Sequence, residues 1–514
     1  MMISETLEVG KLEVGKGETL VEYAQRLEEF TREAARAGMS LHEVEQKTLG
    51  AVLLMGKLNV DQFLKAQGDG DLGETVTTSE GRTLRRSSEA VKRPLRTVFG
   101  EHLFAQFVYA AGPKRKIELR PIDARLGLSD EKYSYLLREF SQYFCIEQAF
   151  GQASQGFEKL FGQRLPVDSL EQINRRMGVA AEQYLDSLPV PPTEEEGELL
   201  VSTSDGKGVP LIRDEVKQRP AFCARERPGN RRMATLAAVY SVDRHVRSAE
   251  EIVAALFRDP HELRSARPKR PEPAHKHVVA RFAETIQDDG RDRHIPAPFV
   301  AWTWAAAEIR RRRQPQQPLL RMCDGQETLW DAAVCCAEPA DNDALEILDL
   351  LHVSSYVWSA ARAFHPRDES AARQFTRERL LRLLRGDVKG VISGLRQMAT
   401  RRKLRGIARK NVQTAAMYFQ KNAHRMRYDK YLAAGYPIAT GVIEGACLHL
   451  VKDRMERSGM RWRLTGAAPM LAMRALRISN VWDDFQKHLQ QSDLERIHPH
   501  RHLLKNYTPE ILTI

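Results

Sequence analysis

Two stretches of this chain run the same course. Leu199-Leu-Val-Ser-Thr-Ser-Asp205 and Pro318-Leu-Leu-Arg-Met-Cys-Asp324 are both short apolar-leaning runs that end in aspartate and are followed by glycine. Runs of this length and character read as strands. A second strand candidate, Ala344-Leu-Glu-Ile-Leu-Asp349, leads into Leu350-Leu-His-Val353 and a helix carrying Tyr356, Val357 and Trp358. The Asp-Gly pair by itself is weak evidence, because it favours a type I′ hairpin turn and also occurs at 69–70 and 289–290. Its place after an apolar strand and before Lys207 is what favours a functional role for Asp205. Lys207 then reaches a substrate phosphate or is a solvated turn lysine.

A further acidic position has a different setting. Gly441-Val-Ile-Glu444-Gly445 opens a helix that turns basic at Lys452, Arg454, Arg457, Arg461 and Arg463. Leu448, Val451 and Met455 recur at spacings of three and four, which predicts one apolar side. A carboxylate at the head of a cationic helix suits a core poorly. It makes sense if the carboxylate holds a metal and the cations hold phosphates.

The run from Tyr436-Pro-Ile-Ala-Thr-Gly-Val-Ile-Glu-Gly-Ala-Cys to Arg461-Trp462 resembles the C-terminal signature of bacterial insertion-sequence transposases of the ISKra group. The resemblance extends to Ser204-Asp-Gly-Lys-Gly-Val-Pro210, Cys323-Asp-Gly-Gln-Glu-Thr-Leu-Trp330 and Ile347-Leu-Asp-Leu-Leu-His-Val353. It is good after residue 200 and weak before it. These are DDE-class enzymes, so the resemblance implies an α/β ribonuclease-H-like core with a large all-α insertion, preceded by a mainly helical N-terminal region. It implies Asp205, Asp324 and Glu444 as catalytic ligands of two Mg2+ (or Mn2+) ions, cutting DNA at transposon ends and joining them to target DNA. It gives Asp349 and His352 a supporting role, orienting a ligand or contacting DNA. For His352 a histidine hydrogen-bonded in the core at a helix start is the other reading. A homodimer or larger assembly on paired DNA ends, in the cytoplasm at the nucleoid, is the implied setting. Some DDE transposases carry a cysteine zinc module near 97–119, but no cysteines stand there and no zinc is expected.

Charge agrees with a polyanionic partner. The chain has 79 Lys+Arg against 68 Asp+Glu, net +11, although that total alone is compatible with a soluble surface. Distribution says more. From 388 to 428 there is no Asp or Glu, but there are Lys389, Arg396, Arg401, Arg402, Lys403, Arg405, Arg409, Lys410, Lys421, Arg425 and Arg427. A solvated helix face usually mixes signs, so this run predicts a double-stranded DNA surface, with Arg401, Arg402, Lys403, Arg405, Arg409 and Lys410 as its candidate contacts, joined by Lys452 and Arg454 of the Glu444 helix. Arg310–Arg313 has a simpler reading, cations complementing a helix C-terminus. The six cysteines form no C-x-x-C pair, which suits free thiols in a reducing compartment. No apolar signal core follows Glu5 and Glu8. No uncharged run approaches the ~20 residues of a membrane helix, and no membrane partner is expected.

The sequence divides into a helical region with a mobile link (1–90), a mixed then helical DNA-binding region (91–190), the core's first part (199–352), the helical insertion (353–437), the core's C-terminal helices (438–485) and a tail (486–514). Leu188-Pro-Val-Pro-Pro-Thr-Glu-Glu-Glu-Gly-Glu198 is the clearest boundary, stiffened by proline and solvated by glutamate. The repeat Leu-Glu-Val-Gly-Lys at 7–11 and 12–16 reads as a flexible start. Tyr135, Leu136, Phe140, Tyr143 and Phe144 form an expected apolar stripe. A helix after Asp168 or Ser169 is either the second helix of a DNA-reading helix-turn-helix or an ordinary amphipathic one. The 213–232 excursion suggests a DNA-facing hairpin. His498, His500 and His502 suggest an exposed tail or a metal site. Two rival functions remain, a catalytically silent DNA-binding or regulatory derivative and a metal-dependent nuclease without transposition.

Overall fold

The computed structural model describes residues 15, 17–212, 231–258 and 270–509. The repeat at 7–16, most of the 213–232 excursion and most of the basic loop before His275 lie outside the described residues. The chain forms two units, 1–174 with 483–514, and 175–482. No described helix is long and apolar enough to cross a membrane.

The first unit begins with two helices, Leu20–Arg36 and Leu41–Lys65, each opened by a capping box (Thr19 with Glu22, Ser40 with Glu43). The expected link at 74–90 instead contains paired strands Thr75–Thr77 and Thr83–Arg86. The helix Tyr135–Glu147 buries Leu137, Ser141, Gln142, Cys145 and Ile146, while Leu136, Phe140 and Tyr143 of the expected stripe face outward. Polar groups hide this inner face from a hydropathy reading, since Gln142 is satisfied by the Leu170 carbonyl and Asn174. Asp168 and Ser169 lie inside the helix Val167–Asp186, so neither is its cap. The expected tail is also structured. It forms the helix Trp482–Ile497, and His498 and His500 are buried, with His498 Nε2 2.7 Å from the Leu128 carbonyl.

The second unit is built on one mixed sheet. Its strands are β1 (Leu199–Pro210), β2 (Arg231–Val242), β3 (Ala274–Arg281), β4 (Leu319–Cys323) and β5 (Leu345–Leu348), in the order β3-β2-β1-β4-β5. β1, β2 and β3 run antiparallel as a meander, whereas β4 and β5 run parallel to β1. Parallel neighbours need crossover connections. These are α2 (Ala297–Arg312), between β3 and β4, and α3 (Glu327–Cys335), between β4 and β5, while α1 (Ala249–Phe257) joins β2 to β3. The sheet's apolar side chains, among them Leu199, Val201, Leu320, Met322 and Ile347, are fully buried. They pack with Val353, Val357 and Ala360 of α4 (Leu350–Phe364).

Arg312 shows how burial changes a sequence reading. Its side chain is fully buried, with both Glu196 oxygens at 2.8 and 3.0 Å and the His275 carbonyl at 2.9 Å. It therefore ties the end of α2 to β3 and the segment before β1, beyond any effect on the helix dipole. The expected insertion is helical: α5 (Glu369–Leu384), α6 (Val388–Arg401), α7 (Gly406–Asn422) and α8 (Tyr428–Ala433) follow α4 and pack on the same core.

Candidate metal centre

Strand register builds the site. Ser204 pairs with Cys323 across β1 and β4, and Cys323 pairs with Leu348 across β4 and β5. Asp205, Asp324 and Asp349 are the next residues, so the three carboxylates leave the sheet at one level. Adjacent strands stand about 4.8 Å apart. Asp205 does not end its strand: β1 continues through Gly206, Lys207 and Gly208, paired with Thr235, Ala234 and Met233. The hairpin-turn reading of this Asp-Gly pair is therefore wrong. Its turn preference is overridden by pairing along twelve residues of β2.

Glu444 comes from the far end of the unit. The α-helix Gly441–Ala446 continues through a π-turn, Cys447–Lys452, into Asp453–Met455. Its buried residues are Ile443, Ala446, Cys447, Leu450, Val451, Arg454 and Met455, a regular stripe in steps of three and one. Leu448, expected on that stripe, is exposed, because Leu450 and small Cys447 take the inner positions. A π-turn at this place is notable, since such turns concentrate at functional sites.

Asp349 organises the neighbourhood. It is fully buried and caps α4, accepting the amides of Leu351 (3.3 Å) and His352 (3.0 Å). It also accepts His352 Nδ1 (3.1 Å) and the Thr440 amide (2.9 Å). The Thr440 carbonyl in turn receives the Glu444 amide at 3.0 Å. One carboxylate thus sets both the imidazole and the start of the Glu444 helix. Burial alone would raise its pKa, but the His352 ring and the backbone amides outweigh burial and hold it below the ordinary range.

The other acids are less well compensated. Burial pushes Asp324 upward, and the charges of Asp205 and Asp349 add to that. Burial likewise raises Glu444, again helped by Asp349 and Asp205. His352 is raised to about 9, mainly by its bond to Asp349 and further by Asp324. Its Nε2 lies 3.8 Å from Asp324 Oδ2. Asp205 accepts its neighbour's amide, Gly206, at 2.6 Å and the Cys447 thiol at 3.3 Å. That thiol is pushed well up by burial and by the Asp205 charge. Cys447 is three residues after Glu444, a spacing that would have revealed it on the same helix face.

Potential ligand atoms of Asp349, His352 and Glu444 lie within 4.8 Å of one another. Asp349 is nevertheless better read as a support. A carboxylate offers about four lone-pair positions, and four N–H groups already face it. Of the expected triad only Glu444 belongs to the group with Asp349 and His352; Asp324 adjoins it through His352 Nε2, and Asp205 adjoins the Glu444 helix through Cys447. Carboxylate oxygens suit Mg2+ and Mn2+. Glu444 and His352 Nε2 can serve a divalent cation here with Asp324 beside them, and Asp349 fixes the ring as carboxylates do for metal-bound histidines.

The expected DNA contacts divide. Arg401, Lys403, Arg405, Arg409 and Lys410 are exposed around the α6–α7 connection, Lys452 is exposed beyond Glu444, and Lys207 is half-buried. Arg402 is exposed, but its guanidinium holds the Phe364 carbonyl at 3.0 Å. Arg454 is fully buried over the Trp462 ring, so it cannot meet a phosphate. Within the cationic run, Lys421 pairs with Glu327 and Arg425 with Glu346. Compared with known proteins, the chain matches no family model and no curated protein.

Proposed function

We propose that this protein is a DDE-type transposase with a ribonuclease-H-like core, cutting DNA at transposon ends and transferring the strand into target DNA. The observation that carries the reading is the convergence of Asp205, Asp324 and Glu444. These are separated by 119 (324−205) and 120 (444−324) positions of chain; what supports their meeting is that Asp324 lies 3.8 Å from His352, that His352 groups with Glu444 and Asp349, and that Asp205 accepts the thiol of Cys447 on the Glu444 helix. The sheet order, a three-strand meander with two parallel strands beyond β1, supports this reading of the core.

Two Mg2+ or Mn2+ ions, when bound, would activate the attacking oxygen and stabilise the leaving oxygen of an in-line displacement. The chain's own residues do the rest. Asp205 and Asp324 are aimed by strand register, Glu444 by its helix, and His352 by Asp349. Lys403, Arg405, Arg409 and Lys410 hold the phosphodiester backbone without reading sequence. Water as nucleophile gives a cut end; a terminal 3′-hydroxyl gives a joined strand. The protein would act in the bacterial cytoplasm as a dimer or larger assembly pairing two ends.

The test is incubation with labelled duplexes bearing the element's ends, plus Mg2+. Joined products support a transposase. Cleavage without joining would make it a nuclease, and binding without chemistry a regulatory derivative.

A further inference from the structure

The helical insertion touches the metal centre as well as carrying the basic surface. Tyr418, on α7, lies against Gly325, the residue after Asp324. A Cβ at 325 would clash with the hydroxyl-bearing edge of the Tyr418 ring, so only glycine leaves room for it. That ring also stacks on Tyr356 at 3.9 Å between centroids and meets Phe419 edge-on at 6.0 Å. Tyr356 lies one helical turn beyond His352 on α4, on the same face. The ring therefore joins the turn that carries Asp324 to the helix that carries His352.

Other contacts hold the same turn. The Trp330 indole donates to the Asp324 carbonyl at 2.7 Å. Arg425 stacks on Trp330 at 4.0 Å, and Lys421 pairs with Glu327. Asp324 Oδ1 accepts the Gln326 amide at 2.8 Å. The hydroxyl-bearing edge of the Tyr418 ring is what meets Gly325, whose backbone amide is directed at the buried hydroxyl, while the ring face stacks on Tyr356.

We propose that Tyr418 is a positioning residue of the metal centre, the insertion's clamp on the spacing between Asp324 and His352. This rests on reading the acidic cluster as a divalent-cation site. It adds a second task for the insertion: the helix that presents Arg409 and Lys410 also holds the ligand turn.

The experiment is Mn2+ binding to the full-length protein without DNA, followed by electron paramagnetic resonance, with thermal melting in parallel. Tyr418→Phe keeps the ring edge against Gly325 and the stack on Tyr356 while losing only the hydroxyl, so it should bind Mn2+ within a few-fold of wild type. Tyr418→Leu should weaken binding about 10-fold or more, the usual effect of losing an outer-shell support. Gly325→Ala, which pushes the ring off from the other side, should do the same and serves if Tyr418→Leu does not fold. Phe419→Leu, a buried neighbour on α7, should lower the melting midpoint and leave Mn2+ affinity unchanged. Wild-type affinity in Tyr418→Leu, or an equal loss in Phe419→Leu, would overturn the proposal. Wild type that binds Mn2+ but does not cut DNA would remove the transposase reading and leave this one standing. Wild type that binds no Mn2+ would remove both.

Discussion

Asp349→Asn tests the organising carboxylate most directly. The oxygen facing Thr440 (2.9 Å) and Leu351 (3.3 Å) can survive as the amide oxygen. The other becomes an NH2 group facing the His352 amide (3.0 Å) and Nδ1 (3.1 Å). Two hydrogen bonds to a charged acceptor, worth about 1.5–3 kcal/mol each, are lost. His352 can recover one by changing tautomer so that Nδ1 accepts, and a neutral amide is cheaper to bury than a carboxylate. The net destabilisation expected at pH 7 is about 2 kcal/mol. The tautomer change then places a proton on Nε2, the atom facing Asp324, and so removes a ligand. Mn2+ affinity should fall about 10- to 100-fold. The pH dependence has a fixed sign. Asp349 is held below its ordinary pKa, so its advantage is present above the unfolded value near 3.9. It is lost as pH falls through the lower folded value. Hydrogen exchange in peptides from 345 to 364 reports the local stability. Unchanged exchange there at pH 7, with wild-type Mn2+ affinity, would refute the role assigned to Asp349.

Asp205→Asn should abolish cleavage and joining on end DNA while gel-shift binding persists; undiminished turnover would take Asp205 out of the mechanism. Lys403→Ala or Arg409→Ala should each reduce the slope of log affinity against log salt by about 0.9 where a phosphate contact is lost. Arg454→Ala should leave that slope alone and lower the melting midpoint, because its side chain is buried. His352, raised to about 9 in the ion-free protein, contributes stability that is complete below its unfolded pKa of about 6.5 and is lost by about pH 9. Its side chain is 40% exposed, so screening reduces the contribution to about 1–2 kcal/mol. His352→Gln melts should lack that pH dependence, and a wild-type midpoint rising over the same window would contradict it.

The sequence carried the strands of the candidate site well and their surroundings poorly. Apolar runs ending at Asp205, Asp324 and Asp349 are legible because a buried strand must be apolar whatever its partners. Their side-by-side register is not legible, since it depends on crossovers through α2 and α3. The continuation of β1 past Asp205 was masked by Asp-Gly, a local turn preference that β2 pairing overrides. In the Glu444 helix, size-weighted reading chose Leu448 over Cys447 and Leu450. Arg454 read as a phosphate ligand because charge normally means exposure, yet the fold covers its stem and guanidinium against Trp462. His498 and His500 read as part of a tail for lack of apolar neighbours in sequence. Tyr418 gave no signal at all, because its significance lies in a glycine 93 residues away (418−325).

The electrostatics of the cluster make one further demand. Buried acids elsewhere in this chain are matched by guanidinium groups: Asp123 by Arg93 at 2.9 Å, and Glu196 and Glu308 by Arg312. Among the described residues, no lysine or arginine makes such a pair with Asp205, Asp324 or Glu444. Burial opposes ionisation there and the neighbouring like charges add to it, so Asp324 and Glu444 are both raised. A carboxyl whose folded pKa is raised destabilises the fold increasingly as pH rises through and above its unfolded value. At neutral pH the ion-free protein should therefore be less stable than Asp324→Asn, which removes one charge and keeps the shape. A divalent cation should reverse the order, adding about 2.7 kcal/mol to wild type at 100 times its Kd and far less to the variant. Melting both proteins at pH 5 and pH 8, with and without Mg2+, measures this. If Asp324→Asn is the less stable protein without ions at pH 8, burial and repulsion do not oppose the Asp324 charge, and this electrostatic support for a cation is lost.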